Sequence, residues 1–160
     1  MQTKNSDWGG FINTNFRSIW PVHLAGFTRL LVQLRARFDG DLDLMLVLAV
    51  IGDRTRPEEW TPELLTYRQM THGGGDEHRQ YPINIQSVSE YSGIPRETVR
   101  RKVAVLQSKG WVTRGTDGCL AISRTAAEDL EDASNDSVAY LEALLKVFDA
   151  TRDRSTKTTT

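Results

Sequence analysis

Apolar residues recur at three- and four-residue spacing over residues 22–38, at Leu24, Phe27, Leu30 or Leu31, Leu34 and Phe38, which predicts an amphipathic helix. Pro21 reads as its opener, because proline fits the first turn where an N–H has no partner, and Gly40 reads as its stop. Residues 42–51 are apolar on nearly every side, predicting a second helix buried at the centre of the fold. Thr61 as N-cap with Pro62 at the first helical position opens a short third helix. Gly73-Gly74-Gly75 and Asp76-Glu77-His78 then predict a loop. A short helix over 86–91 breaks at Ser92-Gly93. A longer one over 96–109 buries Val99, Val103 and Leu106 and ends at Gly110. Residues 111–114 and 119–122 read as two strands around a tight turn at 115–118. Residues 126–130 are expected to be helical, and a last helix over 137–150 places Val138, Leu141, Leu145 and Phe148 on one stripe, to be buried against this chain or a second copy.

The expected class is therefore mostly α with a small β-hairpin. Residues 1–15 and the Thr-rich 151–160 read as loose ends, and 16–150 as a single domain with its helix-turn-helix and hairpin core at 83–123. Helical parts at 21–70 and 126–150 flank that core. Hydrophobic residues make up 39% of the chain and charged ones 26%, enough for a packed core. A single cysteine, Cys119, excludes an internal disulfide framework. The first ten residues are polar and lack an apolar signal core, and no apolar run approaches the roughly 20 residues needed to span a bilayer. A cytoplasmic protein that is not in a membrane is expected.

The net charge of −1 conceals strong segregation. Residues 39–65 carry seven acids and two bases, and residues 126–149 carry seven acids and one base. Between them, residues 82–124 carry seven bases against three acids, a net +4. Phosphate contacts are short-range, so a polyanion would meet the middle of the chain. There the longer helix buries its apolar side and leaves Arg96, Glu97, Arg100 and Arg101 outward, beside Thr98 and Lys102. An arginine pairs bidentately with guanine, and a glutamate accepts from the cytosine amino group, which suits base reading in a major groove. Arg114, on the hairpin, suits backbone or minor-groove contact.

The run Ser92-Gly93-Ile94-Pro95-Arg96-Glu97-Thr98-Val99-Arg100-Arg101, continuing through Leu106 to Lys109-Gly110-Trp111-Val112, resembles the recognition segment of bacterial winged helix-turn-helix regulators. Residues 96–101 are similar to the catabolite-activator/FNR type. The resemblance implies that Arg96, Glu97 and Arg101 face base edges and that Thr98 touches phosphate. Upstream, helices stand where that type has a cyclic-nucleotide β-roll. The helices before and after the motif look like the MarR layout, which implies a homodimer through Leu30, Leu34, Leu141, Leu145 and Phe148. The implied function is sequence-specific transcriptional regulation, with repression as the default, on double-stranded palindromic DNA.

Other classes weigh less. A solvated charged helix face explains the Arg96–Lys102 cluster alone, but not its setting between a glycine turn and a hairpin. A winged-helix adaptor that binds an acidic protein is the runner-up. A ligand-binding protein with a vestigial winged helix comes third. His72, Asp76, Glu77 and His78 sit in glycine-rich sequence without a rigid second layer of support, which disfavours a metal. Cys119 reads as a half-buried strand residue rather than a redox thiol. No nucleophile elbow, phosphate loop or zinc-protease motif is present, so neither an enzyme nor a cofactor is expected. Trp8, Phe11, Phe16, Trp20 and Trp60 are read as packing before they are read as the lining of a small-molecule effector pocket.

Overall fold

The computed structural model describes residues 7–54 and 83–157. The helix expected at Thr61, the loop at Gly73-Gly74-Gly75, and the residues His72, Asp76, Glu77 and His78 lie outside the described residues. The elements run α1 (Trp8–Thr14), α2 (Phe16–Arg37), α3 (Leu42–Arg54), α4 (Ile85–Ser92), α5 (Arg96–Ser108), β1 (Val112–Arg114), β2 (Leu120–Ile122), α6 (Arg124–Asp129) and α7 (Glu131–Lys157). They divide into two compact units, Leu34–Asp132 and the pair of segments Met1–Gln33 and Ala133–Thr160. One domain over 16–150 is expected from the sequence; the division falls inside α2 and α7, whose buried residues, Ile19, Leu30, Ala133 and Thr151, all belong to the second of these units.

In the unit Leu34–Asp132, α3 is the central element. Val47 and Ile51 are fully buried, with Leu44, Leu48 and Val50 close behind. It packs against α4, α5 and β2. The approach to β2 is close: a Cβ on Gly52 would stand 2.8 Å from Ile122 Cδ1. The expected inward face is present in full, since Ile85, Val88, Ile94, Val99, Val103 and Leu106 are all buried. The hairpin pairs antiparallel, Val112 with Ile122, Thr113 with Ala121 and Arg114 with Leu120. The Leu120 N–H donates to the Ile83 carbonyl at 2.8 Å, which ties the segment entering α4 to the open side of β2.

The unit made of α1, most of α2 and most of α7 has a thin interior. Among its described residues Ile19, Leu30, Ala133 and Thr151 are buried. Much of its packing is aromatic. Phe16 stacks on Trp20 (centroids 5.0 Å apart) and His23 on Phe27 (5.6 Å), and Tyr140 joins both His23 and Phe27. His23 Nδ1 and Tyr140 Oη form a hydrogen bond of 2.7 Å. The Tyr140 ring lies against the α2 backbone, where a Cβ on Gly26 would come within 2.9 Å.

Three terminal expectations are corrected. Pro21 does not open α2 but lies inside it. The Asn15 carbonyl accepts from the N–H groups of Ser18 and Ile19, so the helix begins a turn and a half earlier and the proline leaves one carbonyl, that of Arg17, without its helical donor. The stretch read as loose contains α1, capped by Asp7 accepting from the Gly10 N–H at 2.8 Å, with Phe11 against Phe148. The tail read as disordered from 151 is helical to Lys157. Thr151 is buried there, and Arg154 and Lys157 in the last turn favour the negative end of the helix dipole. Among the described residues no helix is long and apolar enough to cross a membrane.

Candidate nucleic-acid interface

Local sequence sets the angle between α4 and α5. Asn84 caps α4 by accepting from the Ser87 N–H at 3.0 Å. Gly93 ends the helix with φ 74°, its N–H donating to Ser89 O at 2.9 Å. The turn is stitched by side chains: the Ser89 hydroxyl donates to Ile94 O at 2.7 Å, and the Ser92 hydroxyl accepts from the Ile94 N–H at 3.2 Å. At the far end of α5, Gly110 takes φ 75°. Gly110 N–H donates to Gln107 O at 3.0 Å and Trp111 N–H to Leu106 O at 2.9 Å. This is the paired closure that needs a left-handed residue, which glycine adopts without a Cβ clash. It sends the chain directly into β1.

Arg96, Glu97, Arg100 and Arg101 are exposed on α5 and Arg114 is exposed on β1. Arg96, Glu97, Arg100 and Arg114 line one hollow of about 460 Å³, with Ile85 at its apolar side. Three guanidinium groups and a carboxylate from two elements thus share one concave surface. Glu97 and Arg100 form a bidentate pair, Nε to Oε2 at 2.9 Å and Nη2 to Oε1 at 2.6 Å. The hydrogen bonds from Arg100 hold the Glu97 carboxyl below the usual glutamate range, and the charges of Arg100, Arg101 and Arg96 add to this. Arg101 stands outside the hollow, within 3.4 Å of the half-buried Thr98 hydroxyl.

Lys102 does not join this group. Its ammonium is paired with Asp41 in the α2–α3 turn and is half-buried. Lys109 is similarly held by Asp39, at 3.1 Å, and lies 5.0 Å from the centre of the Trp111 ring. The two aspartates were visible in the sequence only as part of an acidic segment. The signal that marks them is spacing: Lys102 and Lys109 are seven residues apart, on one helical face, opposite Asp39-Gly40-Asp41. The hydrogen bond to Asp117 and burial push the Cys119 thiol above its ordinary value.

The residues expected at a dimer contact separate into two groups. Leu30 is buried within its own unit and Leu34 is half-buried. Leu141 and Leu145 are 55% and 68% exposed, and Phe148 is half-buried against Phe11. The stripe expected to be buried is therefore open in a single chain. Of the aromatic residues considered for an effector pocket, Trp8 lines a groove of about 580 Å³ with Ile12, Leu145 and Phe148. Phe16 and Trp20 stack on each other, and Trp60 lies outside the described residues.

No family model, curated protein or solved structure matches this chain.

Proposed function

We propose that this chain is a sequence-specific DNA-binding regulator of winged-helix type, working as a homodimer on palindromic double-stranded DNA in the reducing cytoplasm. The observation that carries the reading is the hollow lined by Arg96, Arg100 and Arg114 together with Glu97. An α-helix with this outer face fits a major groove, with the hairpin arginine reaching the adjoining backbone. Arg96, Glu97, Arg100 and Arg101 are the base-reading residues, and Thr98 and Arg114 the phosphate contacts. Repression by occluding polymerase is the default mode.

Selection from random duplex DNA, with enriched sites re-measured at two salt concentrations, tests the reading. A palindrome bound at about 10⁻⁸ M or tighter, and about 10³-fold over random duplex, supports it. Weak, sequence-blind binding that vanishes with salt sinks it, and the basic face would then be matched to an acidic protein partner, the adaptor alternative.

The homodimer has its own support. Trp8, Phe16, Trp20, Leu24, Phe27, Val32, Val138, Leu141 and Leu145 are all exposed, and all belong to the unit with the thin interior. Exposed apolar residues gathered in one unit support an interaction site there. Two recognition helices read a palindrome when their centres are about 34–36 Å apart, one DNA turn, which is what a homodimer would have to supply. Replacing Leu141 and Leu145 together by Glu is expected to leave the circular dichroism unchanged, because neither side chain is buried in the single chain. Light scattering should then fall from twice 18.1 kDa to 18.1 kDa. A wild-type mass of 18.1 kDa at tens of micromolar would remove the dimer.

A further inference from the structure

Asp39 is the only non-glycine residue with positive φ among the described residues, at 55°, and it is followed by Gly40 at 86°. Backbone held in the left-handed region by a residue with a Cβ costs energy and persists where its surroundings require it. Here it orients two carboxylates of one tight turn toward the same helix. Asp41 works in two directions: Oδ1 accepts from the Leu44 N–H at 2.9 Å and starts α3, while Oδ2 takes the Lys102 ammonium. Asp39 Oδ2 takes Lys109, whose ammonium also faces the Trp111 ring. Trp111 is fixed in turn by its indole N–H donating to Asp129 at 2.7 Å and by edge contact with Phe38, the residue that leads into the turn.

We infer that the turn Asp39-Gly40-Asp41 is a positioning element for the DNA-reading face: it pins α5 at Lys102 and at Lys109, and so fixes which way Arg96, Arg100 and Arg101 point. The geometry is that of a two-point mount. Lys102 and Lys109 are about 10.5 Å apart along the helix axis, on one edge of the buried stripe. One charge pair lets a helix swivel about the contact; two along the same edge oppose both swivel and slide, and the buried stripe of Val99, Val103 and Leu106 opposes roll. The energy of each pair is small, since side-chain entropy and solvent screening offset most of the attraction in solvent-accessible ion pairs. Their effect is therefore on geometry, which base reading demands within about 0.5 Å, more than on stability. Burial pushes the Asp41 carboxyl up, but the hydrogen bonds from Lys102 and from the Leu44 N–H outweigh it and hold the group below the usual aspartate range. On this inference Lys102 is a positioning residue and not a phosphate contact.

The inference rests on the proposed DNA-binding role for one of its two readouts, and the other needs no DNA. Asp41→Ser keeps a capping oxygen for α3 and removes the carboxylate; Lys102→Gln removes the other partner; Lys102→Arg keeps the pair. Amide hydrogen exchange in the intact chain is expected to quicken several-fold across residues 101–109 in Asp41→Ser and in Lys102→Gln alike, to be no faster in the double variant, and to return to the wild-type rate in Lys102→Arg. Unchanged exchange in both single variants overturns the inference. On selected duplex, the same two variants should lower the ratio of specific to random affinity about tenfold, in the range of coupled neighbours, with the salt slope unchanged. If Lys102→Gln instead weakens all duplexes alike and flattens the slope by about 0.9 while Asp41→Ser changes nothing, Lys102 is a phosphate contact and the inference fails. A wild-type chain without sequence preference removes the regulator reading, and exchange alone then decides the mount.

Discussion

Leu106→Ala is expected to lower the stability of the unit Leu34–Asp132 by about 2–5 kcal/mol. Leu106 is fully buried on α5, in one apolar cluster with Val47, Ile51, Val103 and Trp111. The truncation removes three carbons from contact on all sides and leaves a cavity that surrounding helices fill only in part. It does not touch the Leu106 carbonyl, which still accepts from the Trp111 N–H, so the closure of α5 is retained and the loss is one of packing. Against a usual margin of about 5–15 kcal/mol, this is a large fraction. Urea unfolding followed by circular dichroism should show a lower midpoint, whereas Leu106→Met, which nearly conserves volume, should lose less than about 1.5 kcal/mol. Gln107→Ala, one residue along on the exposed side, should stay within about 0.5 kcal/mol of wild type. Equal effects at 106 and 107 would mean that α5 is not packed on the face assigned to it.

That packing face was legible because it obeys one short-range rule. Val99, Val103 and Leu106 repeat at helical spacing, and Gly93 and Gly110 bound the helix where a left-handed residue is needed, so α4, α5 and the hairpin follow from local chemistry. The limits of α2 and α7 did not follow, because tertiary partners set them. Pro21 is carried inside a helix whose first turn is already anchored on Asn15, and Thr151 continues α7 by burying its side chain, its hydroxyl donating to Val147 O at 2.6 Å. The division of the basic run also escaped a reading by type. At about 100° per residue, Arg101 points almost opposite Val99, while Lys102 lies about 60° from it and Lys109 about 80°, both beside the buried stripe. The wheel alone separates Arg100 and Arg101 from the lysines at one edge, while Arg96, also about 60° from Val99, lies at the opposite edge. What it lacks is the acidic turn that the lysines meet, 61 residues away in the chain for Lys102 and 70 for Lys109.

Arg101→Ala is expected to cost about 1–3 kcal/mol on the selected duplex and to relax the preference at a single base pair. Arg101 is exposed and lies outside the hollow that holds Arg96, Glu97, Arg100 and Arg114. It is the most outward of the α5 arginines, and its nearest polar neighbour, the Thr98 hydroxyl at 3.4 Å, is a weak competitor for the guanidinium. Arg100 differs, since a bidentate carboxylate already occupies it in the free protein, and releasing it to a base exchanges one ionic pair for another. Arg101 therefore gives the larger loss of the two when truncated. Arg114→Ala should behave in the opposite manner to Arg101→Ala, weakening every duplex by a similar factor and flattening the salt slope by about 0.9, as a phosphate contact does. The two slopes, measured on selected and random duplex, separate reading from holding. Were Arg101→Ala to weaken all sequences equally, the outward centre of α5 would be resting on phosphate, and base reading would have to come from the Arg96, Glu97 and Arg100 side of the helix.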